Sequence, residues 1–196
     1  MGDMDATQEQ LTGAQAIADR LGARRFEAQN LYFEAKAARV NGRRTEAVKL
    51  CEQAMVICHE TGIGFTGPRV LAGIALSTDD PATQRKALQD GESLLKEGSV
   101  SHNHFNFYRD AMSVCLANED WEEVERYAAG LEKFTSAEPL SWCDFFIARG
   151  RALAAFGRGS RDVALIEELV RLRDEAEGVG LKVALPELDL ALAQTS

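Results

Sequence analysis

Four cysteines and three histidines are the residues of this 196-residue chain whose types suit metal binding or nucleophilic chemistry. Cys51 and Cys58 stand seven apart in a stretch of helical periodicity, so they share a face. His59 follows Cys58 but points about 100° away. Zinc sites want close Cys-x-x-Cys spacing or helix-spaced histidine pairs, and neither occurs here. These two cysteines, with Cys115 and Cys143, therefore read as small core residues. His102 and His104 flank Asn103 at a loop-to-helix junction, with Asp110 nearby. Residues i and i+2 do not share a helical face, so the pair reads as an ordered junction whose imidazoles satisfy free helix-end groups. Ser113, Ser136 and Ser141 lack a glycine elbow. The pairs Glu122-Glu123 and Glu167-Glu168 read as solvated faces, because neighbouring helical residues cannot both face a substrate. No metal, no cofactor and no enzymatic activity is expected.

The elements that must carry these residues repeat. A large residue followed four positions later by a small or slim one recurs as Leu31/Ala35, Leu71/Ala75, Tyr108/Met112 and Phe146/Gly150, at spacings of 40, 37 and 38 residues. Twelve residues after the small position come Ala47, Ala87 and Val124, and seven further on Ala54, Leu94 and Leu131. Two helices approach to about 8–10 Å only over small side chains, so each unit reads as two antiparallel helices. The last unit departs from the pattern: Asp162 falls on the small position, with Ala164 as its expected replacement. Ten helices are predicted, over 7–21, 24–41, 45–60, 67–78, 81–97, 103–118, 121–133, 140–156, 161–177 and 181–193. Gly22, Gly42, Gly62, Gly98 and Gly180 punctuate them. Pro68, Pro139 and Pro186 mark starts, and Pro81 follows Asp80 as proline follows an N-cap. Asp120 to Glu123 has the form of a capping box, and Ser141 to Asp144 a weaker version of it. Residues 1–6 are expected to be a flexible N-terminus, 7–193 a single helical-repeat domain and 194–196 a tail. The chain opens on what reads as a second helix and closes on a first, so either the terminal helices serve as the caps or the chain is a piece of a longer protein.

Composition sets limits. The formal charge of −9 argues against a general nucleic-acid binder, which needs a net basic face, and against adhesion to anionic membranes. No run of about 20 apolar residues is present, and the acidic start Met1-Gly2-Asp3-Met4-Asp5 has no secretory character. Four cysteines in a chain of this length do not make a disulfide scaffold, so a reducing cytoplasm is the expected location.

The ladder Ala35, Ala47, Ala54 with Gly42 in the turn resembles a tetratricopeptide repeat. The long period is similar to the 40-residue variant found in large bacterial signalling proteins. The stretches His102-Asn103-His104-Phe105-Asn106-Phe107-Tyr108-Arg109-Asp110 and Glu138-Pro139-Leu140-Ser141-Trp142 through Phe146-Ile147-Ala148-Arg149-Gly150-Arg151 resemble the C-terminal repeat region of bacterial adenylate/guanylate cyclase-type regulators that also carry an ATPase module. The resemblance covers residues 14 to 193. It implies an all-α, right-handed superhelix, a tetratricopeptide-like α-solenoid of about ten antiparallel helices, with cyclase and ATPase activities housed elsewhere. No G-x-x-x-x-G-K-[ST] occurs here, and no residue is expected to inherit those activities.

In such arrays the first helices line the concave face. The expected groove residues are Gln29, Tyr32, Phe33, Lys36 and Arg39, then Asn106, Arg109 and Ser113, then Asp144, Ile147 and Arg151. The candidate binding set is Tyr32, Lys36, Arg39, Arg109 and Arg151, with Arg109 and Arg151 expected to be solvent-accessible. Arginine forks suit carboxylates, so an acidic peptide or protein segment is the expected partner. The second unit places Ala72 and Leu76 at equivalent points and interrupts the patch. The asparagine-and-lysine pattern that clamps C-terminal carboxylates is lacking. The function expected is non-catalytic protein binding by a regulatory or scaffolding segment. The alternative is a small-molecule sensor pocket lined by Tyr32, Phe33, Phe105, Phe107 and Tyr108. Homodimerisation through a terminal helix is compatible with either.

Overall fold

A computed structural model describes residues 4–195, with side chains from residue 9 onward. The described chain is all-α. Its ten α-helices are α1 (Met4–Leu21), α2 (Arg24–Val40), α3 (Arg44–Thr61), α4 (Gly67–Ser77), α5 (Pro81–Gly98), α6 (Ser101–Ala117), α7 (Trp121–Thr135), α8 (Ser141–Gly157), α9 (Val163–Gly178) and α10 (Leu185–Ala193). Short 3-10 turns occupy Ile63–Phe65 and Lys182–Ala184, where a plain loop and the start of the last helix were expected. The first helix begins at Met4, inside the segment expected to be flexible; residues 1–3 of that segment, and Ser196 of the tail, lie outside the described residues. Two compact units, Met1–Asp110 and Ala111–Ser196, divide the chain, and the division falls within α6.

In the first unit the small-residue ladder lies in the core. Ala35, Ala47 and Ala54 are buried with Ala28, Tyr32, Ala38, Cys51, Cys58 and Val70, and Leu31, Leu50 and Ile74 pack around them. Alanine at these points lets α2 and α3 lie close together. Consecutive helices pack on each other through α5, and α2 also touches α4. The chain turns after α3 at Gly62, whose φ of 113° is closed to side chains with a Cβ. The 3-10 turn that follows is tied to α6 by Asn103, whose amide donates to the carbonyls of Gly64 (2.8 Å) and Phe65 (3.2 Å).

The second unit keeps the same register for most of its length. Met112, Val124, Leu131, Phe146 and Gly150 are buried, and α7–α8, α8–α9 and α9–α10 pack consecutively, with α8 also touching α10. Arg149, 3% exposed, donates to the Ala184 carbonyl (3.3 Å) and pairs with Glu187 (3.0 Å), which fixes α10 on α8. At the last repeat the expectation is corrected. Ala164 is exposed, and Asp162 is an N-cap whose carboxylate accepts from the Leu165 amide (2.9 Å). A polar residue on the small position thus starts α9 instead of packing inside it. Ser141 likewise caps nothing, since α8 starts after Leu140 with no side-chain cap.

Asp80 caps α5: its carboxylate accepts from the Thr83 hydroxyl (2.5 Å) and from the Thr83 amide (2.9 Å), and these hydrogen bonds hold it below the usual range. A carboxyl depressed in the folded state adds stability above its unfolded pKa and loses it as pH falls through the folded value. Asp80→Ala is therefore expected to lower the melting temperature near neutrality and to narrow the gap to the parent in acid. Circular-dichroism melts from pH 7 to pH 2 check this, and a gap that stays constant with pH would contradict the cap.

Candidate functional site

The first unit carries a narrow cleft with room for about one water-sized group. One wall is α2, which presents Tyr32, Lys36 and Arg39 in successive turns. The others come from Cys51 of α3, from Gly73 to Ser77 of α4, and from Arg109 and Asp110 of α6. Gly73 allows the close approach: a Cβ there would stand 3.1 Å from Cys51 Sγ and 3.4 Å from Tyr32 Cε2. The floor is a fixed polar network. Arg109 binds Asp110 at 2.6 Å, with its side chain only 14% exposed, and is hydrogen-bonded to the buried Tyr32. Burial works against the Arg109 charge, but Asp110 and the Tyr32 hydroxyl outweigh it and hold the guanidinium above its usual range. Burial, then Asp110, pushes the Tyr32 phenol up, so it stays protonated.

Two cations on this wall stand differently. Neither Lys36 nor Arg39 makes an ion pair or a side-chain hydrogen bond among the described residues, and both are half-buried. Burial and then the Arg109 charge hold the Lys36 ammonium below its usual range. Arg69 backs the cleft from α4, with its guanidinium 5.3 Å over the Tyr32 ring. That residue is 6% exposed, and its Nε and Nη2 have no hydrogen-bond partner. Four cations thus gather around one carboxylate, Asp110. The acid of the chain lies mainly elsewhere: residues 111–196 carry nine Lys and Arg against 16 Asp and Glu, while residues 1–110 carry 13 against 15. A cationic cleft in the nearly neutral unit is not swamped by its own surroundings.

The expected set divides accordingly. Tyr32, Lys36, Arg39 and Arg109 share the first-unit cleft, but Tyr32 and Arg109 are framework groups, and the expectation that Arg109 is solvent-accessible is corrected. Arg151 lies in the second unit, bound at 3.0 Å to Glu125 and at 2.8 Å to Glu132. Its charge is spent on its own neighbours. Around it Ile147, Ala148, Ala152 and Leu165 floor an open groove with Glu132, Asp144 and Glu168 on the rim. Of the aromatics proposed for a sensor pocket, Tyr32 lines the cleft and Phe33 is exposed. Phe107 is fully buried, its ring directly against Gly91.

All four cysteines are free and buried. Burial pushes their thiols up, Cys51 and Cys115 to about 12 and Cys58 and Cys143 to about 11, so the thiolate needed for attack or ligation is disfavoured at neutral pH. Among the described residues no group of three His, Cys, Asp or Glu side chains is placed to hold a metal. His102 is hydrogen-bonded to the Phe65 backbone, while burial and Arg69 hold its imidazole below the usual range, so it is neutral at pH 7. Sequence reasoning passed over Arg69 and Asn103. Arg69 sits among apolar residues near a helix start, and only its burial, 94% complete, sets it apart. Asn103 was overshadowed by the histidines on either side, although it makes the tie to the turn.

No family model matches the chain, and no curated protein or solved structure matches it either. Among the described residues no helix is long and apolar enough to cross a membrane.

Proposed function

We propose that this chain is a non-catalytic protein-binding domain, built as a tetratricopeptide-like α-solenoid and acting as a regulatory or scaffolding segment. The observation that carries the reading is the packing pattern within each unit. Small residues recur at the helix crossings, and alternate helices touch, α2 with α4 and α8 with α10. Stacked hairpins of this kind share a continuous core and leave long surfaces for partners. The resemblance to the repeat region of cyclase-type ATPase regulators supports a place in a signalling assembly. Lys36 and Arg39 are the groups best placed to meet a partner, because neither makes an ion pair or a side-chain hydrogen bond among the described residues.

Partner capture from a native lysate tests the reading, with the parent beside a Lys36→Glu/Arg39→Glu variant. The parent is expected to retain a partner that 0.5 M salt removes, since exposed charges are screened within about 3–8 Å at such ionic strengths. The variant is expected to lose that partner while its helical content is unchanged. Identical partners on both proteins at the same salt would remove the basic wall of α2 from the reading.

A further inference from the structure

The cleft of the first unit has more donors than its own acids can use. We propose that it is a carboxylate-binding site, in which Lys36 and Arg39 receive an acidic side chain of a partner segment above the Tyr32–Arg109–Asp110 floor. The proposal rests on the protein-binding reading for the source of the carboxylate, but not for the site.

Lys36 and Arg39 are three residues apart on α2, so they lie side by side on one face, and both line the cleft. Neither makes an ion pair or a side-chain hydrogen bond among the described residues, whereas the neighbouring cation Arg109 is held by Asp110 and Tyr32. The floor is therefore rigid and the wall is free. The planar arginine fork pairs two-oxygen acceptors, and an ammonium beside it adds a point charge. The space fits one carboxylate oxygen in place of a water, and a larger tetrahedral anion would have to part the helices.

Electrostatics agrees. Lys36 faces Arg39 on its own helix, Arg69 on α4, and Arg109 and Asp110 on α6. Three cations to one anion leave it in a positive field, and Arg69 adds a buried charge whose Nε and Nη2 are unpartnered. A carboxylate seated between Lys36 and Arg39 offsets that excess. It also relieves the depressed ammonium of Lys36, which would then resist amine acylation at mildly alkaline pH.

The test uses the full chain and three probes: a fluorescent glutamate-rich peptide, free glutarate and inorganic phosphate. The peptide is expected to bind, and Lys36→Gln/Arg39→Gln to weaken it by about tenfold or more, as for loss of charge-assisted hydrogen bonds. Lys49→Gln removes one positive charge at an exposed position of α3 and is expected to leave affinity unchanged. Peptide binding is expected to protect Lys36 from acylation, read by mass spectrometry. Glutarate binding as tightly as the peptide would keep the carboxylate site and overturn its assignment to a protein partner, favouring the sensor reading. Phosphate competing as well as glutarate would overturn the preference for carboxylates. Equal peptide affinity for parent and double variant, with both folded, would overturn the site itself, whatever the lysate experiment gives.

Discussion

Ala47→Glu is expected to unfold the first unit. Ala47 has no exposed surface and sits in a cluster made wholly of apolar side chains, alanines, cysteines, valine and tyrosine. A glutamate there must give up its water inside the helix crossing, and a buried charge without a well-placed partner costs roughly 3–5 kcal/mol. The backbone has no slack to let it out, because alanine is the residue that allows α2 and α3 to approach. Against a total stability of about 5–15 kcal/mol for an ordinary domain, such a loss removes much of the folded population. Lys49→Glu, two residues along on the exposed side of α3, serves as the control and is expected to melt near the parent. A melt of Ala47→Glu superimposed on the parent would show that the ladder is out of register.

The second large effect is a change of sign between Gly91 and Phe107. Replacing a glycine inside a helix by alanine ordinarily gains about 1 kcal/mol. At Gly91 of α5 the added Cβ would fall inside the van der Waals surface of the Phe107 ring, and Phe107 is fully buried with nowhere to retreat. Overpacking of this kind costs about 1–3 kcal/mol, so Gly91→Ala is expected to destabilise despite better helix propensity. Phe107→Ala alone is expected to cost about 3–5 kcal/mol. In that background the obstacle is gone, and Gly91→Ala should stabilise. Chemical denaturation of the four proteins of the cycle measures the coupling. Additive effects would mean that the two residues do not meet.

The helices were legible because their signals are local. Apolar periodicity, Asp80 before Pro81, and the glycines at Gly22, Gly42, Gly62, Gly98 and Gly180 are each written within a few residues, and each proved a boundary or a turn. The small-residue ladder was legible because a crossing between helices leaves the same demand in every repeat. It failed where one residue could meet two local demands: Asp162 satisfies a helix start, so Ala164 had no gap to fill. The site was legible only in part. Helical spacing placed Tyr32, Lys36 and Arg39 on one face, but not how deep each lies. Arg109 and Arg151 looked alike as cations on the expected groove face, one helical turn apart in the repeat register. What separates them is which acids the fold brings near, Asp110 at the next residue and Glu125 and Glu132 from another helix. The Arg151 pairing is a property of tertiary packing, and repeat arithmetic does not contain it.

The buried cysteines make the protein its own reporter of local opening. Exchange with a disulfide reagent needs a thiolate that can be reached, and in the closed helices these sulfurs are both covered and protonated. Labelling therefore proceeds only through transient exposure, at a rate set by the open population. Cys51 and Cys58 sample the first unit, Cys115 and Cys143 the second. Peptide-level mass spectrometry of a labelling time course thus yields two opening free energies from one unmodified sample, and shows whether the two units breathe together or separately.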